Sequence, residues 1–178
     1  MITTTYDEML EAYRIAALSQ DTSTQNSAIV FGEVSNLTIG ANGNMAFECR
    51  SSVGMMNHVS DLFDPTPAHN ERPLKDTYIE HAERSAIYQA ASLGIPTGGG
   101  IMISPWAACV DCARAIIHSG IKHLVVHQPM MVATPERWME QVALGHQLLA
   151  EAGVQIHRYN GKLASANEIL FNGNPFQP

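Results

Sequence analysis

HAE, residues 81–83, and CVDC, residues 109–112, are the two stretches around which the rest of the chain can be placed. Together they supply an imidazole, two thiols and a carboxylate. Three side-chain ligands would leave the fourth position of a tetrahedral zinc ion open, as in catalytic zinc sites, whereas closed structural sites use four. These residue types therefore predict an open zinc site formed by one histidine and two cysteines, with the glutamate as its proton carrier.

The spacing within each stretch restricts where it can lie on a helix. Two steps along a helix turn a side chain by about 200°, so His81 and Glu83 can converge only near a helix end. Cys109 and Cys112 are three residues apart and share one helix face. The motif therefore requires that at least its first half stand close to a helix terminus.

The remaining chain alternates predicted helices with short buried strands. Apolar residues at helical spacing predict helices over residues 6–19, 79–93, 109–119 and 135–152. Short apolar runs predict five strands, over 27–31, 37–40, 101–104, 123–127 and 154–157. This order predicts an α/β domain with a mixed sheet, in which the first two strands form a hairpin across residues 32–36 and later strands are parallel. In that arrangement both metal-binding stretches open helices that flank the same strand.

Two regions show no such pattern. Residues 44–77 have little periodicity apart from a short helix predicted over 55–63, and their prolines predict a long loop. A loop of that length in a compact domain is usually functional or part of an assembly interface. Residues 160–178 are predicted to be an irregular tail outside the core. Without a repeat or a linker in the sequence, we expect residues 1–178 to form a single domain.

Composition narrows the class of protein. With 46% hydrophobic and 15% charged residues, the 178-residue chain has the composition of a soluble globular protein. A net charge of −7 without a basic block disfavours a long nucleic acid as partner, although a few local cations could still bind a small anionic substrate. Neither a signal peptide nor an apolar run of about 20 residues is present, so we expect no membrane partner. Three cysteines, two spaced as ligands, favour reduced thiols and a cytoplasmic location.

Each half of the metal motif is a weak signal when taken alone. His-x-Glu occurs by chance, and Cys-x-x-Cys could equally be a redox pair or half of a structural zinc site. The combination is stronger because each half falls at a predicted helix start. If the two cysteines were a redox pair, Glu83 would have no function beside them.

With these residues in place, the sequence resembles the zinc-dependent cytidine and deoxycytidylate deaminases, whose signature is H-x-E followed by P-C-x-x-C. The similarity runs from about residue 19 to residue 154. Residues 79–87 and 112–117 resemble the deoxycytidylate (dCMP) branch, and residues 40–43 resemble the G-Y-N-G loop of that branch. The resemblance implies a three-layer α/β/α cytidine-deaminase-like sandwich with a five-stranded mixed sheet.

The resemblance also implies the reaction: hydrolytic deamination of dCMP to dUMP, with dCTP to dUTP as a second reaction, and release of ammonia. In the family a zinc-bound water attacks the amino-bearing ring carbon. Here His81, Cys109 and Cys112 would hold about one zinc per chain, and Glu83 would be the catalytic residue that moves the protons. A homo-oligomer, with a hexamer as the favoured assembly, is implied as well.

Substrate contacts follow from the same resemblance. Asn42 would contact the sugar or the base, and the Ser104 backbone would meet the exocyclic amine. Trp106 would either form a wall of the pocket or belong to the core. The candidate cations for the substrate phosphate are Arg50, Arg72, Lys75 and Arg137.

Two departures from the family pattern lie near the substrate. Ala108 stands where the family has a proline before the first cysteine, so the turn into that helix is expected to be built differently. Ser92 stands where many relatives have a basic residue, which predicts weaker discrimination against extra phosphates.

Three other functions fit the metal motif. A tRNA adenosine deaminase needs a basic RNA-binding face, which this acidic chain lacks. A riboflavin-pathway deaminase commonly carries a reductase domain, for which there is no room. A non-enzymatic zinc-binding interaction module is the third alternative.

Overall fold

The computed structural model describes residues 3–39, 45–55, 57–58 and 71–178, with side chains described outside 33–39, 45–51 and 57–58. Its helices are α1 (Thr5–Ala16), α2 (Leu74–Tyr78), α3 (Ala82–Leu93), α4 (Val110–His118), α5 (Gln128–Val132) and α6 (Glu136–Glu151). Its strands are β1 (Thr3–Thr4), β2 (Ser27–Ile39), β3 (Met45–Met55), β4 (Asn57–His58), β5 (Ile79–Glu80), β6 (Ile101–Ile103), β7 (His123–His127), β8 (Gln155–Tyr159), β9 (Ile169–Phe171) and β10 (Asn174–Phe176). Among these residues, none of the helices combines the length and apolarity that crossing a membrane requires.

The central sheet has the strand order β1-β3-β2-β6-β7-β8. The pairs up to β2–β6 are antiparallel, and β6, β7 and β8 are parallel. The predicted mixed sheet of five strands is therefore confirmed, and the two-residue β1 extends its edge. Helix α1 packs on β2 and β6, α3 packs on β2 and β3, α6 packs on β8, and α4 packs against both α3 and α6.

Strands β6 and β7 lie at the centre of the core. All three residues of β6, and residues 124–126 of β7, have no exposed side-chain surface. Because successive side chains of a strand point to opposite faces, this burial shows that helices cover both faces of the sheet. The α/β/α layering predicted from the sequence is thereby confirmed.

The predicted hairpin across residues 32–36 is wrong. Residues 27–39 form one continuous strand, β2, whose antiparallel partner is β3, from Ser27 opposite Met55 to Ile39 opposite Met45. The register shifts twice after Gly32, so the polar segment is accommodated as bulges within the strand rather than as a turn. The connection from β2 to β3 lies at residues 40–44, outside the described residues.

The predicted loop over residues 44–77 is also corrected, because residues 45–55 are strand and residues 74–78 are helix. The helix predicted over residues 55–63 does not begin at residue 55, which is the last residue of β3. Residues 56 and 59–63 of that prediction lie outside the described residues. Strand β3 shows little apolar alternation because it faces α3 with small residues. Ser52 donates a hydrogen bond to the Ala86 carbonyl, 3.0 Å away, and Gly54 lies against the backbone of the same helix.

The tail predicted over residues 160–178 contributes to the core instead. It contains the β9–β10 hairpin, and Leu163, Ile169 and Phe171 are buried. The hairpin turns at Asn172-Gly173, and both residues have positive φ, of 54° and 77°. Asn-Gly between two apolar runs is a strong signal for a tight hairpin, so the sequence did contain the information needed to predict it.

Candidate metal and active site

Both predicted ligand stretches stand at the N-terminal ends of helices. His81 directly precedes α3 and Cys109 directly precedes α4, each with extended backbone. Glu83 and Cys112 lie in the first turns of these helices. Within the described structure neither preceding side chain caps its own helix, so both can turn towards a common point. The positive ends of two helix dipoles favour negative charge there.

Two glycines allow neighbouring elements to pack closely against the first residues of α3 and α4. A Cβ atom at Gly54 of β3 would clash with the backbone of α3 at Ala82 and Ala86. A Cβ atom at Gly145 of α6 would clash with the carbonyl oxygen of Ala108 and lie 3.0 Å from the carbonyl group of Cys109. Close backbone approach, which only glycine permits at these positions, therefore sets where each ligand helix begins.

The three predicted ligands meet in the fold. The Nδ1 atom of His81 lies 3.6 Å from the sulfur of Cys109 and 3.5 Å from the sulfur of Cys112. The three ligand atoms all lie within 4.8 Å of one another. Zinc bonds of about 2.0 Å to nitrogen and about 2.3 Å to sulfur would place tetrahedral ligand atoms about 3.5 Å apart. The donor set and its spacing thus fit a zinc ion.

The ligands have strongly shifted proton affinities. The hydrogen bond with the Cys112 thiol lowers the pKa of Cys109 to about 4, and the neighbouring His81 adds to this effect. The same bond, together with burial, raises the pKa of Cys112. Burial by itself would lower the pKa of His81, but the adjacent Cys109 and Glu83 outweigh it and raise the value. A metal that binds here at neutral pH therefore meets Cys109 already deprotonated but must displace the proton of Cys112.

Glu83 is buried beside the ligands, with 3% of its surface exposed. The pKa of this carboxyl group is raised to about 7, chiefly by burial, while His81 acts to lower it and the negative Cys109 acts to raise it. A group with a pKa near neutral can both accept and release a proton at neutral pH. This is the property that a proton carrier needs.

The site opens into a cavity with two parts. The inner pocket has a volume of about 10 Å³, and the outer cleft has a volume of about 190 Å³. The inner pocket is lined by Asn26, His81, Glu83, Trp106, Ala107, Cys109 and Val142. The outer cleft is lined by Thr24, Arg72, Lys75, Asp76, Ile79, His81, Arg84, Trp106, Cys109, Asp111, Trp138 and Gln141. His81, Trp106 and Cys109 belong to both parts, so the metal site lies where the two parts meet.

Two tryptophans form an aromatic wall at this junction. Trp106 and Trp138 pack edge to face with ring centroids 6.1 Å apart, and Trp138 lies 6.0 Å from the His81 ring. Trp106 is also a core residue: its indole donates a hydrogen bond to Thr134 and its ring packs on Phe171 of the tail hairpin. Both readings of Trp106 from the sequence therefore apply. Trp138 had no predicted role.

Asn26 is a site residue that the sequence analysis missed. Its side chain is buried, and its amide nitrogen donates to the Trp106 carbonyl at 2.7 Å and to the Ser104 hydroxyl at 3.4 Å. Ser104 lies behind Asn26, and its own hydroxyl donates to the Ser27 carbonyl at 2.7 Å. Ser104 is not among the described residues that line either cavity, and the contact of its backbone with the amine stays a prediction. A polar residue directly before a buried strand was the available signal.

Lys75, one of the predicted phosphate cations, is committed to a buried ion pair. Its ammonium group lies 2.6 Å from Asp21, and the two side chains are only 8% and 0% exposed. The same Asp21 oxygen accepts backbone hydrogen bonds from Ser23 and Thr24, both at 2.7 Å. The ion pair therefore holds α2 against the loop that leads into β2. In this way Lys75 stabilises the wall of the cleft.

Two arginines bring positive charge to the outer cleft. Arg72 is exposed and lies 3.3 Å from Asp76. Arg84, which was not predicted, projects from α3 and donates to Glu80 at 2.6 Å. Its position one residue after Glu83, in the first turn of α3, was the available signal.

The remaining predicted contacts are Arg137, Arg50 and Asn42. Arg137 is not among the described residues that line it. The side chain of Arg50, and the whole of Asn42 with its loop at residues 40–43, lie outside the described residues. Their roles stay predictions.

Residues 6–128 match the family model of the cytidine and deoxycytidylate deaminase zinc-binding region. No curated protein sequence matches the chain.

Solved structures of a dCMP deaminase share the fold. The dCMP deaminase of cyanophage S-TIM5, in apo form, is 17% identical and gives a TM-score of 0.56, with 86% of this chain and 95% of that chain covered. The same enzyme in complex with dCMP and dUMP is 17% identical and gives a TM-score of 0.59, with 85% and 93% covered. A diaminohydroxyphosphoribosylaminopyrimidine deaminase/reductase from Thermotoga maritima is 17% identical with a TM-score of 0.47, and the match covers 86% of this chain and 36% of that one.

Proposed function

The chain belongs to the cytidine and deoxycytidylate deaminase family of zinc-binding proteins, and we propose that it deaminates a deoxycytidine nucleotide. The reaction would convert dCMP to dUMP, and dCTP to dUTP as a second activity, with release of ammonia. The observation that carries this proposal is the division of the cavity: a small inner end is lined by Glu83, His81 and Cys109, and a larger cleft with two arginines leads to it. The base of a nucleotide would enter the inner end first, and the phosphate of the nucleotide would remain in the outer cleft.

His81, Cys109 and Cys112 are the residues that would hold the zinc ion. When bound, zinc supplies the Lewis acidity that makes water a nucleophile at neutral pH. Glu83 would take a proton from that water and deliver it to the ring nitrogen, and then pass a second proton to the leaving amine. The oxygen of the water thus becomes the carbonyl oxygen on the carbon that carried the amino group. The amino group, with its added proton, leaves as ammonia.

The aromatic wall positions the base. Trp106 and Trp138 present ring edges and faces at the junction of the two cavities, where a planar pyrimidine would pack against them. Aromatic packing of this kind would accept any planar base and shield its faces from bulk water. We assign Asn42 a contact with the sugar or base, as the family resemblance implies.

The outer cleft would bind the phosphate. A nucleotide brings at least two negative charges to a chain whose net charge is −7, so local cations are needed to offset that field. Arg72 and Arg84 line the cleft and are each paired with a carboxylate at its edge. A guanidinium has donors enough to hold both a carboxylate and a phosphate. Because Ser92 stands where many relatives have a basic residue, we expect weaker discrimination against additional phosphates.

The test is ammonia release from dCMP, dCTP, deoxycytidine, CMP and cytidine by the zinc-loaded chain. We expect dCMP to be the best substrate, dCTP to be second and the free nucleosides to be poor. Ammonia release from a riboflavin-pathway pyrimidine, or from adenosine in tRNA, with none from these five compounds would assign the chain to another branch. A zinc-loaded chain that deaminates none of them would instead be a zinc-binding interaction module.

We also propose that the chain forms a homo-oligomer, with a hexamer as the favoured assembly. Helices α5 and α6 expose the apolar side chains of Val132, Met139 and Leu144 to solvent, and contact between subunits would remove such surface from water. Light scattering at micromolar concentration distinguishes a hexamer from a monomer.

A further inference from the structure

Asn26 presents a buried polar atom for which the described structure provides no use. The side chain is 1% exposed, and its Oδ1 atom has no hydrogen-bond partner within the described residues. An unpaired buried acceptor costs about 1–3 kcal/mol. A group that arrives with a substrate and donates a hydrogen bond to Oδ1 would remove this cost.

The orientation of the amide follows from its other contacts. A backbone carbonyl can only accept, so the atom that lies 2.7 Å from the Trp106 oxygen must be the amide nitrogen. The Ser104 hydroxyl, at 3.4 Å, is the second group near that nitrogen. These contacts leave Oδ1 as the acceptor of the amide group.

The backbone at Asn26 is held firmly in place. The residue directly precedes β2, and the Ser27 hydroxyl donates to the Ala12 carbonyl of α1 at 2.6 Å. On the other side, the Asp21–Lys75 ion pair anchors the loop that leads into the strand. The amide therefore has little freedom to turn away from the pocket that it lines.

The size of the inner pocket indicates which group it receives. A volume of about 10 Å³ is close to that of a single water-sized group. A pyrimidine ring does not fit, but a single amino group at the leading end of a ring does. The ring itself would lie in the outer cleft, against Trp106.

We propose that Oδ1 of Asn26 accepts a hydrogen bond from the exocyclic amino group of the substrate base, and that this contact selects the aminated substrate over its deaminated product. This inference rests on the proposed function. Cytosine presents an amino donor at that position, whereas uracil presents a carbonyl oxygen, which would face Oδ1 as a second acceptor. Sites that hydrogen-bond a donor reject analogues that lack it. Asn26 thus favours entry of the substrate and release of the product.

The experiment compares the binding of dCMP and dUMP to the full zinc-loaded chain with Glu83→Gln, which slows turnover by roughly 10² or more. The quantity measured by calorimetry is the ratio of the two dissociation constants, Kd(dUMP)/Kd(dCMP). Asn26→Leu removes the acceptor at similar volume, and we expect this ratio to fall about tenfold or more. The loss of the Trp106 tether weakens both nucleotides alike, so the ratio isolates the acceptor.

Asn174→Leu is the matched control. It makes the same change at an exposed asparagine of β10, whose amide donates to the Asn172 carbonyl at 3.0 Å and which is not among the described residues that line either cavity, so the ratio should not change. Asn26→Ser, whose shorter side chain cannot reach the position of Oδ1, gives a second test if thermal melting shows that Asn26→Leu does not fold. An unchanged ratio in a folded Asn26 variant overturns the role of Asn26. If the unmodified chain releases no ammonia from dCMP and the Glu83→Gln chain binds neither nucleotide, the proposed function itself is wrong.

Discussion

The inner pocket and the outer cleft differ in whether their ionisable side chains can change charge near neutral pH. In the inner pocket, Glu83 is buried and its pKa is raised to about 7, so its charge state is poised to change. In the outer cleft, Arg72 and Arg84 remain charged and are matched by carboxylates at its edge. Under the proposed function, the chemistry would depend on the burial of Glu83, whereas binding of the phosphate would depend on permanent positive charge in the cleft. Substitutions in the two regions should therefore fail in different ways.

The largest expected effect concerns Lys75, a cleft residue that breaks the pattern because its charge is buried. Lys75→Met should leave Asp21 buried without a counter-charge and lower the free energy of unfolding by about 3–5 kcal/mol. Urea denaturation measures this. Arg114→Met is the control, because Arg114 and Asp111 form an exposed pair, each 67% exposed, and exposed pairs contribute about 0–1 kcal/mol. Equal effects in both variants would show that the Lys75–Asp21 pair contributes no more than a surface contact.

Glu83→Gln tests the inner pocket directly. The amide keeps the shape but cannot carry a proton, so kcat should fall by roughly 10² or more while zinc stays bound. Ammonia release and elemental analysis give the two readouts. Glu136→Gln, at an exposed position in the first turn of α6, should leave both unchanged. A Glu83→Gln chain with a near-normal rate would remove Glu83 from the mechanism.

Gly145→Ala tests whether the inner pocket depends on the seating of the α4 helix. The added methyl group would press on the Ala108 and Cys109 carbonyls and displace a ligand, so zinc affinity should fall by about 10–100-fold. Competition with a chelator measures it. Gly98→Ala is the control, since a Cβ atom there meets nothing within 4 Å. Equal zinc affinity in the two variants would mean that α6 does not position Cys109.

Arg84→Ala sharpens the role of the outer cleft. Loss of one charged phosphate contact, worth about 1.4 kcal/mol, should raise KM for dCMP by about tenfold and leave kcat nearly unchanged. The same variant should act on free deoxycytidine at the normal kcat/KM. Equal losses on the nucleotide and the nucleoside would instead assign Arg84 to supporting the fold through Glu80.

The smallest effect is expected for Arg137→Ala. Arg137 was a candidate for phosphate binding, yet it is not among the described residues that line the cleft. We therefore expect kcat/KM for dCMP to change by less than about twofold, because a surface substitution without such contacts usually has little effect. A tenfold rise in KM would return Arg137 to the phosphate site and show that the cleft extends along α6.

Local patterns predicted the parts of the fold whose signal lies within a few residues. The helices near residues 6–19, 79–93, 109–119 and 135–152 and the apolar strands are confirmed, since their periodicity reports burial directly. Strand β3 escaped detection because its face towards α3 is built from small residues such as Ser52 and Gly54, which carry no apolar alternation. The short helices α2 and α5 were not predicted either, and the five residues of each are too few to show a period.

What the sequence by itself determined was the ligand set. His81, Cys109 and Cys112 are recognisable because zinc requires those atoms and because helix starts are locally encoded. Only the tertiary structure decided what surrounds them: that Asn26 lines the inner pocket, that Lys75 is used by Asp21, and that the tail packs on Trp106. These contacts join residues far apart in the chain. Their free energy depends on burial and distance in the folded molecule, which no local pattern of residues contains.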